Sequence, residues 1–279
     1  MNYRVCDLLS EAERQLVISD SARLDSEILL SHVMNVPRET FYAHPENIVS
    51  DNIIADFQSL ILKRTSGFPI AYLLGQKEFW SIMLTVNQST LIPRPETECL
   101  VETALELITC NSDFNILDLG TGSGAIAISI ARERPLCHIT ATDIVSDSLN
   151  IAQANAIEYQ VRNISFRESD WFNGLSGEVF DYILCNPPYV DTNYSGFSES
   201  EIRFEPRIAL DGGYLGIEVI NHIIPAAAAH LKPGGYLILE HGFDQSVSIN
   251  ELLVINNFVE VCTRKDYTGK DRITYARKT

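Results

Sequence analysis

The sequence predicts an α/β protein: a mostly parallel sheet covered on both faces by helices, with an antiparallel pair at one edge and a small helical bundle ahead of it. Three observations carry this. From residue 114 to residue 241 short apolar runs alternate with helical stretches, the pattern of parallel strands joined by crossovers. Two β-rich runs near the C-terminus lie close together and suit an antiparallel pair. Before residue 76 the apolar residues recur at helical spacing only. A chain of 279 residues has room for about two domains, and 46% hydrophobic content is ample for a packed core.

The elements follow in order. Val5, Leu9, Ala12 and Leu16 share one helical face; Leu24, Ile28, Leu29 and Val33 mark a second helix, and Ile53, Phe57, Leu60 and Ile61 a third. Ser19-Asp20-Ser21, Pro37, and Pro45 with Asn47 punctuate these segments and supply cap-type residues before each new helix. Residues 1–75 are thus expected to form a helical domain. Residues 76–98, "QKEFWSIMLTVNQSTLIPRPETE", turn β-rich and form a joint, with a hairpin turn placed at Val86-Asn87-Gln88-Ser89. Residues 99–279 form the main domain: a helix over 98–108 leads into it, followed by strands in "FNILDLG", "CHITATD", "NISFRES", "FDYILCN" and "GYLILEH" with helices such as 125–132 and 146–158 between them. "FVEVCTR" and "RITYAR" make the antiparallel edge.

Charge narrows the function. With 37 acidic and 21 basic residues the net charge is −16, whereas a protein that holds a phosphate backbone neutralises several phosphates with Lys and Arg. No direct nucleic-acid partner is expected, and the basic stretch 264–278 reads as a solvated strand face. Cys6, Cys99, Cys110, Cys137, Cys185 and Cys262 form no CxxC pair and suit reduced thiols of a cytoplasmic protein. The dispersed histidines offer no metal site. The first fifteen residues carry no apolar signal core, and no apolar run approaches membrane-spanning length. We expect a cytoplasmic monomer with no membrane segment and no metal.

"DLGTGSGA", residues 118–125, follows a strand and opens a helix. Gly120, Gly122 and Gly124, with Thr121 and Ser123 between them, let backbone N–H groups approach a ligand without side-chain obstruction. The pattern serves a nicotinamide cofactor and S-adenosylmethionine equally well. The next strand ends at Asp143, which suits either a ribose, whose two hydroxyls a carboxylate accepts, or the N-cap of the following helix. In "ESDWF", Asp170 and Trp171 follow the third strand, at the carboxyl edge where open α/β sheets bind ligands. Trp171 either lies against a purine or belongs to the core.

Asn186-Pro187-Pro188-Tyr189 follows the fourth strand, beside the glycine turn. Proline donates nothing to a sheet ladder, so the pair ends the strand. It also supports chemistry. A planar amino group on an sp2 carbon is a poor nucleophile, because its lone pair is delocalised. Accepting hydrogen bonds from both of its N–H groups would hold the nitrogen in line with an S–CH3 bond. The Asn186 side-chain oxygen and the Pro187 carbonyl are the acceptors, stiffened by the prolines, and Tyr189 stacks on the flat group and excludes water. Positioning contributes about 7–11 kcal/mol in favourable cases, against about 3–5 kcal/mol from acid–base help, so a site without an evident base suffices. Asn186, Pro187 and Tyr189 are the candidate catalytic residues, Pro188 completes the substrate grip, and Asn186 borders the cofactor as well.

Together these residues resemble the class I S-adenosylmethionine-dependent methyltransferases, and more narrowly the PrmC/HemK family of release factor glutamine methyltransferases. The likeness covers nearly the whole chain, through "ARLDSEILLSHVM", "EFW", "LIPRPETE", "ILDLGTGSGAIAI", "SDWF", "NPPYV", "RFEPRIAL" and "LEHG". That family methylates the side-chain amide nitrogen of the glutamine in the GGQ loop of class 1 peptide chain release factors. The resemblance implies a Rossmann-like methyltransferase sheet, with S-adenosylmethionine along Gly120, Thr121, Gly122, Ser123 and Gly124. It implies the ribose at Asp143, contacts from Trp171 and Asn186, and the target amide at Asn186, Pro187, Pro188 and Tyr189. It further implies that Arg94 packs the joint against the active site and that the helical domain docks the release factor. DNA adenine methyltransferases use a similar tetrapeptide, but six acidic and two basic residues over 191–218 make a poor surface for DNA phosphate. A sibling family that methylates a glutamine of a ribosomal protein differs at "LIPRPETE". A nicotinamide oxidoreductase would leave "NPPY" without a task.

Overall fold

The computed structural model describes residues 3–199 and 201–279. It divides into two compact units, Met1–Gln76 with Ser198–Phe204, and Lys77–Phe197 with Glu205–Thr279.

The first unit contains α1 (Val5–Gln15), α2 (Ala22–Met34), the short α3 (Glu39–Ala43), α4 (Asp51–Thr65) and the short α5 (Ile70–Leu74). Its core gathers Leu9, Leu16, Leu29, Leu30, Phe57 and Ile61, as helical spacing requires. The sequence anticipated neither short helix, and it misplaced the buried face of α2. Leu24 is 40% exposed and Ile28 only half-buried, while Asp25, Ser26 and Glu27 face inward. The reason is a buried ion pair. Arg64 Nε of α4 donates to Asp25 Oδ2 at 2.8 Å, and the Ser19 and Ser21 hydroxyls donate to the same carboxylate at 2.7 and 2.9 Å. A buried charge so satisfied can replace a leucine on a core face. The two serines therefore direct their hydroxyls at Asp25 and cap no helix N–H, and the residue capping α4, Ser50, makes no side-chain cap bond either.

The second unit begins with β1 (Gln76–Phe79), which shares its first residue with the other unit, and β2 (Ile82–Thr85). These strands pair through a turn at Trp80-Ser81, not at the predicted Val86-Asn87-Gln88-Ser89. Both turn residues are left-handed, with φ of 49° and 58°, the conformation a two-residue hairpin loop demands. Asn87 instead organises a separate turn, in which the Ser89 N–H donates to its side chain at 2.9 Å. The hairpin is tied down by the fully buried Asn155, which accepts the Thr85 N–H and donates to the Thr85 and Ser123 carbonyls.

Then come α6 (Glu98–Leu107), β3 (Asn115–Leu119), α7 (Ala125–Glu133), β4 (His138–Asp143), α8 (Ser146–Glu158), β5 (Ile164–Glu168), β6 (Phe180–Cys185), the single turn α9 (Gly196–Glu199), whose last two residues belong to the first unit, α10 (Glu218–His230), β7 (Leu231–Glu240), α11 (Ser246–Ile255), β8 (Phe258–Lys265) and β9 (Asp271–Lys278). The seven-stranded sheet runs β5-β4-β3-β6-β7-β9-β8, parallel from β5 to β7 and antiparallel at β9 and β8, as the alternation predicted. β7 starts four residues earlier than expected, with a register irregularity opposite Phe180 and Tyr182. Residues of α6, α7 and α8 pack on one face and residues of α10 and α11 on the other, which is why the central β3 and β6 are mostly buried, with Asp118 as a buried polar exception. From β3 the chain steps to β4 and β5 on one side, and from β6 to β7 on the other. The crevice beyond the carboxyl ends of β3 and β6 is thus the switch point at which open α/β sheets bind ligands. Among the described residues no helix is long and apolar enough to cross a membrane.

Candidate active site

The glycine turn leaves β3 and Asn186 leaves β6, so both open onto that crevice. A cavity of about 250 Å³ lies there, lined by Gly120, Gly122, Asp143, Trp171, Asn186 and Pro188 among others. Residues from four separate segments of the chain have been brought together.

The three turn glycines all have positive φ, yet their surroundings differ. A Cβ on Gly122 would meet nothing within 4 Å, one on Gly120 would touch the Trp171 ring at 3.7 Å, and one on Gly124 would press on Ile128 at 2.9 Å and Ala152 at 3.2 Å. Gly124 therefore lets α7 pack on α8 and does not border the cavity. Thr121 and Ser123 do not border it either. The Thr121 hydroxyl donates to Asp118 Oδ2 at 2.6 Å, and Ser123 is buried with its carbonyl on Asn155. Asp118 is fully buried, burial pushes its carboxyl up to about 7, and its Oδ1 has no hydrogen-bond partner among the described residues.

Asp143 holds the turn from the next strand. The Gly122 N–H donates to its Oδ2 and the Val145 N–H to its Oδ1, both at 2.9 Å. Burial raises its pKa, and the bonds from Val145 and Gly122 oppose that rise. Since a carboxylate offers about four acceptor positions, Asp143, which lines the cavity, keeps acceptor capacity beyond these bonds. Trp171 combines the two roles the sequence left open: it borders the cavity and packs against the core beneath α10 and α11.

The Asn186 wall is assembled from distant residues. Asn186 Nδ2 donates to Thr97 Oγ1 at 3.0 Å, and no described residue occupies its Oδ1. Pro187 is buried and does not reach the cavity surface, whereas Pro188 does. Tyr189 is likewise no lining residue: its hydroxyl donates to Glu240 Oε1 at 3.0 Å and its ring packs on the core. Burial, then the charge of Glu240, drives its phenol well above the usual range. Behind the tetrapeptide, Val190 forms a parallel bridge with Asp211, and Gln245 Nε2 donates to the carbonyls of Tyr189, Leu215 and Gly216. Gly216 has φ 67°, and a Cβ there would sit 2.1 Å from the Tyr189 carbonyl oxygen.

Arg94 does not reach the cavity lining. It bonds to the buried Glu205 of "RFEPRIAL", whose second oxygen accepts the Ile92 N–H at 3.0 Å. The joint lines the cavity through Ser89 and Leu91 and reaches Asn186 from behind through Thr97. Sequence reading passed over Thr97, Glu205, Glu240 and Gln245, although a glutamate closing the apolar run "YLILE" was a signal: a charge ending a buried strand marks the ligand edge of a parallel sheet.

Comparison with known proteins adds a further line. The PrmC N-terminal domain family matches residues 7–75, and the methyltransferase small domain family matches residues 97–199. A release factor glutamine methyltransferase of Salmonella typhimurium is 44% identical over 271 residues, covering 97% of this chain and 98% of that one. A release factor glutamine methyltransferase of Aliivibrio fischeri is 41% identical over 277 residues, covering 98% and 97%. Among solved structures, a methyltransferase from Pyrococcus furiosus shares the fold at a TM-score of 0.55 and 19% identity, over 80% of this chain and 98% of that chain.

Proposed function

The chain belongs to the release factor glutamine methyltransferase family, and from that membership we propose that it transfers a methyl group from S-adenosylmethionine to the side-chain amide nitrogen of the GGQ glutamine in class 1 peptide chain release factors. One observation carries the reading beyond kinship: the glycine turn and Asn186, whose Oδ1 has no hydrogen-bond partner among the described residues, line one cavity at the switch point of the sheet.

The residues present fit the cofactor. Gly122 leaves open space where a side chain would stand, Asp143 keeps acceptor capacity for ribose hydroxyls, and Trp171 offers an aromatic surface to a purine. Bound there, S-adenosylmethionine supplies a methyl carbon already activated by a cationic sulfur. The protein's task is then to orient. Asn186 Oδ1 accepts one N–H of the target amide at a wall that Asn186 and Pro188 form, Pro187 standing behind it. The target nitrogen so held would present its lone pair to the methyl carbon that the cofactor supplies, and one of its N–H protons would pass to solvent. Tyr189, anchored through its hydroxyl on Glu240, stiffens this wall from behind. The helical unit, matching the PrmC N-terminal family, is our candidate for docking the release factor, which puts the enzyme in the cytoplasm with its partner.

The test is mass spectrometry of a purified class 1 release factor after incubation with this protein and S-adenosylmethionine. A single methyl on the GGQ glutamine is expected. Cofactor binding without that methyl would refute the release factor as substrate and direct the search to a ribosomal-protein glutamine.

A further inference from the structure

Behind Asn186 stands a pair of buried polar residues that the proposed chemistry does not use directly. Thr97 is 4% exposed and Glu240 fully buried, and neither borders the cavity. Their placement follows from register. Cys185 of β6 pairs with Leu239 of β7, so Asn186 and Glu240 emerge side by side at the carboxyl ends of adjacent parallel strands. Thr97 reaches the same spot from the 3-10 turn Pro95–Thr97 before α6.

The hydrogen-bond direction matters here. Glu240 Oε1 accepts from Tyr189, while Glu240 Oε2 is buried with no hydrogen-bond partner among the described residues. Burial pushes the Glu240 carboxyl up, and the nearby Thr97 hydroxyl, the Tyr189 hydroxyl and the charge of Arg272 oppose that rise. A hydroxyl has one proton to donate. If that proton points at Glu240, Thr97 Oγ1 can only accept from Asn186. An amide has one donor end and one acceptor end, so engaging Nδ2 with Thr97 frees Oδ1.

We propose that Glu240 and Thr97 are positioning residues that set the amide orientation of Asn186: Glu240 draws the Thr97 proton, Thr97 draws Asn186 Nδ2, and Asn186 Oδ1 is left to the cavity as an acceptor. This rests on the reading of Asn186 as acceptor for the target amide. Without the relay Asn186 presents either end, and a donor facing the target N–H groups repels them. Glu240 performs no proton transfer in this scheme.

Three variants test it with a release factor and S-adenosylmethionine. Thr97→Val keeps the shape and removes the hydroxyl, and Thr97→Ser keeps the hydroxyl. Glu240→Gln keeps the shape but can turn its own N–H toward Thr97, which sends the Thr97 proton to Asn186 and inverts the amide. Thr97→Val and Glu240→Gln should each lower kcat by about 10²-fold, the scale of losing one preorganised hydrogen bond. KM for the release factor and Kd for the cofactor should stay within about twofold, because the lost interaction belongs to the transition state. Thr97→Ser should recover most of kcat. A kcat within about threefold of wild type in both Thr97→Val and Glu240→Gln would overturn the proposal, as would a raised KM at unchanged kcat, the mark of lost uniform binding.

Neutron crystallography of the wild type and Glu240→Gln supplies a readout that needs no substrate. Nδ2 toward Thr97 in the wild type and Oδ1 toward Thr97 in the variant would support the relay, and one shared orientation would sink it. Should the wild type fail to methylate a release factor, the proposed substrate falls while the neutron maps still decide the relay.

Discussion

The two walls of the cavity are built by opposite means. On the glycine wall the partners are near in sequence: Thr121 bonds to Asp118 three residues away, Val145 to Asp143 two away, and Gly122 to Asp143 only 21 away. On the Asn186 wall the partners lie 89, 51 and 56 residues off, in Thr97 for Asn186 and in Glu240 and Gln245 for Tyr189. The first wall takes shape once two strands and a helix have formed. The second exists only when β7, α11 and the joint are also in place. Remote damage should therefore erode amide orientation while cofactor binding survives.

The harshest break is Asn186→Ala. Turnover should fall about 10³-fold from loss of the acceptor, with cofactor affinity within about threefold, read by single-turnover kinetics and calorimetry. Near-normal methylation by this variant would remove Asn186 from the chemistry altogether.

A paired glycine experiment sharpens the contrast. Gly216→Ala forces a methyl against the Tyr189 carbonyl in a left-handed conformation and should cost about 3 kcal/mol of stability, with turnover lost more than cofactor affinity. Gly122→Ala projects its methyl into open space and should cost about 1–2 kcal/mol for its positive φ, while weakening cofactor binding directly. Urea unfolding and cofactor titration read both. If Gly216→Ala weakened the cofactor as much as Gly122→Ala, the two walls would not be separable.

The gentlest test is pH. Asp118 titrates near 7 in the folded unit against an ordinary 3.8, so the folded state holds a proton that the unfolded chain releases. Its contribution to stability is whole below about pH 4 and is lost as pH rises through about 7. Between about pH 5 and 8 the wild type should lose on the order of 2 kcal/mol relative to Asp118→Asn, which carries no such titration. Parallel unfolding profiles for the two proteins would show that Asp118 is ionised throughout.

Legibility followed the same divide between near and far. α8 occupies the predicted 146–158, and β4 and β6 fall within their predicted runs, because apolar periodicity is a local property that burial merely ratifies. The hairpin turn was misplaced for a specific reason. Asn87 and Ser89 look like turn residues and Trp80-Ser81 does not, but the Trp80 N–H donates to Glu98 and its ring N–H to Glu133, contacts that reach 18 and 53 residues along the chain. The face of α2 was misjudged likewise, because Asp25 looks exposed until Arg64 arrives from 39 residues away.

The sequence by itself determined which segments meet at the ligand edge of the sheet. A glycine turn after one strand and Asn-Pro-Pro-Tyr after another are local punctuation, and strand alternation places such ends on one rim. Only the tertiary structure decided what each residue does there: Gly124 serves helix packing, Tyr189 turns its hydroxyl from the cavity to Glu240, and Thr97, not Arg94, joins the connecting segment to Asn186. The physical reason is that a hydrogen bond needs two partners within about 3 Å, and a one-dimensional pattern does not reveal which distant group will stand there.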